Sequence, residues 1–110
     1  RREFLYIDDM ADACIHIMNL DKNMYDKYTH SMNSHINVGF GSDITIAELA
    51  DIIKDVVQFE GKIEFDKDKL VGTPRKLMNI SRLELLGWKP STDLKVGIEK
   101  AYLSFLDDIK

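Results

Sequence analysis

Arg2-Glu3-Phe4-Leu5-Tyr6-Ile7-Asp8-Asp9-Met10-Ala11-Asp12-Ala13-Cys14 is the stretch from which the fold is best read. Phe4-Leu5-Tyr6-Ile7 is a run of four apolar, β-prone residues and predicts a short buried strand. Asp8 stands where a helix N-cap belongs, and Asp9 adds negative charge to the first turn. Met10, Ala13, Cys14, Ile17 and Met18 then share one helical face, while Asp12, His16 and Asn19 fall largely on the other. A strand running into a helix over about 9–20 opens a mixed α/β unit.

Working outward, residues 21–34 are polar and lack an apolar period, so they read as a long surface connection with at most a helical turn. His35-Ile36-Asn37-Val38 predicts a second strand, broken by Gly39-Phe40-Gly41. Thr45-Ile46-Ala47-Glu48 has the pattern of a capping box. The stripe Ile46, Leu49, Ala50, Ile53, Val56 and Val57 carries that helix to about 57. Lys62-Ile63-Glu64-Phe65 alternates as a half-buried strand does. A loop at 66–76 holds Gly72-Thr73-Pro74-Arg75-Lys76. Ser81-Arg82-Leu83-Glu84 reads as a second capping box, on a short helix that stops at Gly87. Asp93 caps a last helix whose buried face is Leu94, Ile98, Ala101, Tyr102, Phe105 and Leu106. The expectation is one α/β (mixed α+β) domain over residues 1–110, with about four helices and short strands and no Rossmann core.

Composition narrows the classes. The chain has 110 residues, 45% hydrophobic and 31% charged, an ordinary globular balance. Its net charge of −4 gives no global attraction for nucleic acid or an anionic membrane. A single Cys excludes an internal disulfide framework and fits a reducing, cytoplasmic setting. The chain opens on Arg1-Arg2-Glu3-Phe4 without Met, which we read as a piece of something longer.

The chemical signals are uneven. The run 35–66 mimics a dinucleotide-binding βαβ unit, but Ile44 stands where the third glycine belongs, and Asp43 puts negative charge where a pyrophosphate needs positive potential. A plain strand-to-helix turn explains it better. Cys14 on an apolar helical face reads as an inert small hydrophobe, and His16 as the exposed partner of Asp12. Three scattered histidines and one Cys have no metal-ligand spacing, so no metal is expected. Trp88 and Tyr102 read as core rather than base-stacking groups. Arg1, Arg2, Arg75, Lys76 and Arg82 flank loops or strand edges, where Arg and Lys can clamp an anion or simply be solvated.

Arg2-Glu-Phe-Leu-Tyr-Ile-Asp-Asp-Met-Ala11, Ser34-His-Ile-Asn-Val-Gly39, Gly72-Thr-Pro-Arg-Lys-Leu77 and the run from Ser81-Arg-Leu to Leu-Gly-Trp88 resemble, in order, segments of the GDP-L-fucose synthase family. These are GDP-4-keto-6-deoxy-D-mannose 3,5-epimerase-4-reductases of the extended short-chain dehydrogenase/reductase superfamily. The resemblance covers about residues 1 to 106. It implies the C-terminal, substrate-binding part of an NADP-dependent enzyme that acts as a homodimer. The Rossmann domain, its NADP site and the catalytic residues would lie outside this chain, leaving no catalytic and no cofactor-binding residue within it. Arg2 and Lys76 correspond to residues at the GDP-sugar site, and Arg75 is carried over beside them. Two departures stand out: Leu70-Val71 replaces the usual Pro-Asp, and Gly39-Phe40-Gly41 the usual Gly-Thr-Gly. A GDP-6-deoxy-4-keto-heptose is therefore an alternative substrate. A non-enzymatic interaction module using loop 21–34 is the alternative of another class.

Overall fold

Five helices organise the described residues: α1 (Ile7–Met18), α2 (Lys22–Tyr28), α3 (Ile46–Val57), α4 (Ser81–Leu85) and α5 (Leu94–Asp108). The structure is a computed structural model and describes residues 1–109.

The α1 helix begins before the anticipated Asp8 cap. Tyr6 is its N-cap, with extended backbone and no side-chain cap bond, and the Tyr6 carbonyl accepts from the Met10 amide at 3.1 Å. Asp8 and Asp9 both lie in the first turn, where their charge complements the helix dipole. Asp9 has a second task. It is buried at 4% exposure and accepts from the Thr92 amide at 2.9 Å and from the Ser91 and Thr92 hydroxyls at 3.1 Å each. One carboxylate thus ties the start of α1 to the turn leading into α5.

The buried stripe of α1 runs through Asp9 and Ala13, with His16 and Ile17 half-buried, and this turns Cys14 outward. Cys14 is exposed rather than packed in the core. His16 does not pair with Asp12: its Nε2 donates to the Leu86 carbonyl at 2.8 Å, while Asp12 accepts from the Trp88 indole at 2.9 Å. Ala13, Ile80, Leu83, Leu86 and Trp88 are the buried apolar residues, so Trp88 is core as its place after a helix stop indicated.

Residues 21–34 are better ordered than a polar connection suggests. Asp21 caps α2 by accepting from the Asn23 amide at 2.9 Å. The Tyr25 hydroxyl then donates to the Ser34 carbonyl at 2.6 Å, and His30 and Asn33 close a tight turn.

The three predicted strands do not form. Among the described residues the pairing consists of isolated bridges: Arg2 with Ile44 (antiparallel), Arg2 with Lys76 (parallel) and His30 with Asn33. Leu5, Ile36 and Val38 instead pack, partly buried, against the helical core, whereas Phe4 and Ile7 stand exposed. Apolar tetrads signal burial; whether they become strands depends on a paired neighbour.

The α3 helix forms as its sequence dictates. The Thr45 hydroxyl accepts from the Glu48 amide at 3.1 Å, and the Glu48 carboxylate accepts from the Thr45 amide at 3.0 Å. The second box does not form: Ile80 is the N-cap of α4, the Glu84 amide donates to the Ile80 carbonyl at 3.0 Å rather than to the Ser81 hydroxyl, and Asn79 Oδ1 accepts from the Ser81 amide at 3.0 Å. Asp93 has N-cap backbone geometry at α5 but makes no side-chain cap bond. Helices α3 and α5 pack together, and beside them an apolar groove of about 520 Å³ is lined by residues including Leu49, Ile53, Val57, Ile98, Tyr102 and Phe105.

Candidate functional site

Arg2 is the centre of a three-segment register. Its amide and carbonyl exchange 2.9 Å hydrogen bonds with Ile44, and on its other edge the Lys76 amide donates to the Arg1 carbonyl at 3.2 Å. Side chains of directly opposed residues share a face, and those of their chain neighbours point to the other. Arg2 and Lys76, 74 positions apart in sequence, therefore share one face. Arg1, Glu3, Asp43 and Arg75 fall on the opposite one.

On the first face the Arg2 guanidinium is held in place. Its Nη1 donates to the Thr73 and Arg1 carbonyls at 2.7 Å each, and Nη2 lies next to Gly72, close enough that a Cβ there would sit 3.4 Å away. Among the described residues, Arg2 Nη2 and Nε and the Lys76 ammonium have no acceptor of their own. A half-buried guanidinium and an exposed ammonium with donors to spare, both on hydrogen-bonded backbone, can take up an anion such as a phosphate.

On the second face the charges are spent internally. Asp43, its side chain only 3% exposed, receives Arg1 Nε at 2.8 Å on one carboxylate oxygen and Arg75 Nε on the other. Arg1 also donates to the Asp43 carbonyl at 3.3 Å. The Arg1 hydrogen bond, aided by that of Arg75, holds the Asp43 carboxyl below the usual carboxylate range against the opposing effect of burial. Glu3 makes a second tie: it accepts from the Gly41 amide at 2.6 Å and the Met78 amide at 3.1 Å. A Cβ at residue 39 would lie 2.8 Å from the Glu3 carboxylate, and Gly41 has φ of +90°, so the Gly39-Phe40-Gly41 turn needs both its glycines.

Of the sequence-predicted site residues, the structure sets the backbones of Arg2 and Lys76 side by side and draws Arg75 into an ion cluster. Arg82 is not a loose surface charge: its Nη1 donates to the His35 and Asn33 carbonyls at 2.7 and 3.3 Å. Asp43 and Glu3 were missed as site-forming residues. In the sequence Asp43 stands out only as a negative charge before α3, and Glu3 only as part of the Arg2-Glu3-Phe4 run.

No family model matches the chain. The GDP-L-fucose synthase of Escherichia coli K12 is 48% identical over 107 residues, which is 97% of this chain and 33% of that protein. The chain is a homologue of part of the GDP-L-fucose synthases. The Sinorhizobium fredii GDP-L-fucose synthase is 42% identical over 98% of the chain, and the GDP-L-colitose synthase of Yersinia pseudotuberculosis 37% over the same share. Each match spans about a third of the relative's length. Among solved structures, a GDP-6-OMe-4-keto-L-xylo-heptose reductase from Campylobacter jejuni superposes with a TM-score of 0.85 at 37% identity, covering 97% of this chain and 31% of that one. The GDP-mannoheptose C4 reductase of the same organism, solved with NADP bound, gives 0.80 at 37% identity over 96% and 31%. These relatives are named for reactions on GDP-linked sugars. Among the described residues there is no group of acidic, His and Cys side chains that could hold a metal ion. No helix among them is long and apolar enough to cross a membrane.

Proposed function

We propose that this chain is the GDP-sugar-binding part of an NADP-dependent enzyme that epimerises GDP-4-keto-6-deoxymannose at C3 and C5 and reduces its C4 ketone to give GDP-L-fucose. The observation that carries this reading is the pairing of Arg2 and Lys76 through one register in a chain 48% identical to a GDP-L-fucose synthase. A diphosphate bears two or more negative charges, and donors fixed on paired backbone bind it at lower entropic cost than mobile surface lysines. Arg2 and Lys76 are assigned to the diphosphate, with Arg75 held behind them by Asp43.

The residues present do not suit NADP. At the start of α3 the Thr45–Glu48 capping box already occupies two of the backbone amides that a dinucleotide's pyrophosphate would need. The cofactor and the groups that move protons and hydride are assigned to the remainder of the enzyme, as is the homodimer contact. A cytoplasmic location rests on the single, free cysteine.

A GDP-6-deoxy-4-keto-heptose is the second reading, favoured by the heptose reductases among the structural neighbours and by Val71, 90% exposed where an acidic residue is usual in the family resembled. The test is NADPH consumption by the full-length protein presented in parallel with GDP-4-keto-6-deoxymannose, a GDP-4-keto-6-deoxy-heptose and a UDP-linked 4-keto sugar. Turnover of the first is expected. Turnover of the heptose alone would select the second reading, and turnover of the UDP sugar alone would discard both.

A further inference from the structure

Two carboxylates back the face opposite Arg2 and Lys76, and neither is free to meet a ligand. Glu3 spans the outer segments by binding the amides of Gly41 and Met78. Asp43 spans them again by binding Arg75 on one side and Arg1 of the central segment on the other. The segments these ties join are the ones whose register sets Arg2 beside Lys76. With single-residue bridges in place of strands, backbone pairing alone holds that register weakly.

We infer that Asp43 is a positioning residue for anion binding: by tying Arg1 and Arg75 together behind the register, it fixes the relative placement of Arg2 and Lys76 on the front. This deepens the GDP-sugar reading and rests on it. Arg75 then acts through Asp43 rather than by touching phosphate. Its Nε is committed to the carboxylate, on the face away from Arg2.

Charge makes the inference sharply testable. Asp43→Asn removes a negative charge near the proposed phosphate site, whereas Arg75→Ala removes a positive one. If the cluster acts only through its field, the first change tightens an anion and the second loosens it. If it acts by positioning, both loosen it. The bound oxygens must then order side chains that the apo protein no longer holds, a loss of roughly tenfold.

The experiment is a calorimetric titration of the full-length protein with GDP and with guanosine, for wild type, Asp43→Asn, Arg75→Ala and the double variant, with thermal midpoints recorded alongside. Expected is a roughly tenfold weaker GDP affinity in each single variant, guanosine affinity unchanged, and a double variant no worse than either single one. Tighter or unchanged GDP binding by Asp43→Asn overturns the inference. So does an equal loss for guanosine, which marks general structural damage, or an additive double variant, which makes Arg75 a ligand in its own right. Should Asp43→Asn fail to fold, Arg75→Ala decides: wild-type GDP affinity there is equally contrary. Arg2→Ala and Lys76→Ala, run beside these, separate the two claims. If both bind GDP normally the binding reading itself falls, whereas their loss of affinity with normal binding by Asp43→Asn and Arg75→Ala removes only the positioning role.

Discussion

Single side chains here are assigned by partners, and the partners decide what each substitution does. The Ser81 hydroxyl makes no cap bond, while Asn79 accepts from the Ser81 amide. Ser81→Ala is therefore expected to leave the urea midpoint unchanged, and Asn79→Ala to cost about 1 kcal/mol, the usual net worth of one hydrogen bond. Asp9 is a stronger case. Asp9→Ala leaves one part-buried amide and two hydroxyls without their acceptor, so a loss of about 1–3 kcal/mol is expected, read as a lowered urea midpoint at unchanged slope. The sequence shows an acidic pair at a helix start. It does not show that the second member reaches residues 83 positions away, because that contact depends on how α1 and α5 pack.

At the scale of elements, legibility followed locality. The α3 helix was readable because both halves of its capping box lie within four residues, and α5 because its apolar period persists over 15. The strands were not, because a strand is made by a partner elsewhere in the chain, and Leu5, Ile36 and Val38 found helices instead. The same logic applies to the site: Gly72-Thr73-Pro74-Arg75-Lys76 marks a constrained turn, but its sequence does not say that Lys76 pairs with Arg2 and Arg75 turns away. The α3 box also predicts a pH effect. Bonds from the Thr45 amide, then from its hydroxyl, hold the Glu48 carboxyl below its ordinary value. A lowered folded-state value means the stabilisation is complete above the unfolded value, about 4.3, and is lost as pH falls through the lower folded one. Glu48→Gln keeps a residue able to complete the box but cannot titrate. Thermal melts between pH 7 and 3 are expected to show a smaller acid-induced drop for Glu48→Gln than for wild type; equal drops would mean that Glu48 carries none of it.

The whole molecule is flat and open. Its extents are 54 × 37 × 19 Å, and its radius of gyration is 17.4 Å where a globular chain of this length has about 13 Å. Its accessible surface is 8471 Å², against about 6,200 Å² for a typical monomer of this size. Part of the excess is the α3–α5 groove, where Ile53 and Phe105 stand 40% and 57% exposed. Apolar surface of this kind is expected to drive self-association of the isolated 110-residue chain, seen by light scattering as a mass that rises with concentration; a constant monomer mass at high concentration would contradict it.

The same open architecture still brings residues 2 and 76 side by side, and that juxtaposition is what the proposed function requires. Its most direct test is GDP affinity of the full-length protein in three variants measured in parallel: Arg2→Ala, Lys76→Ala and Lys62→Ala, the last removing an exposed lysine that pairs with Glu64. Charge-assisted hydrogen bonds contribute roughly 1.5–3 kcal/mol each, so Arg2→Ala and Lys76→Ala are each expected to weaken GDP roughly ten- to a hundredfold, with Lys62→Ala unchanged. Equal GDP affinity in all three variants would show that Arg2 and Lys76 do not grip the diphosphate.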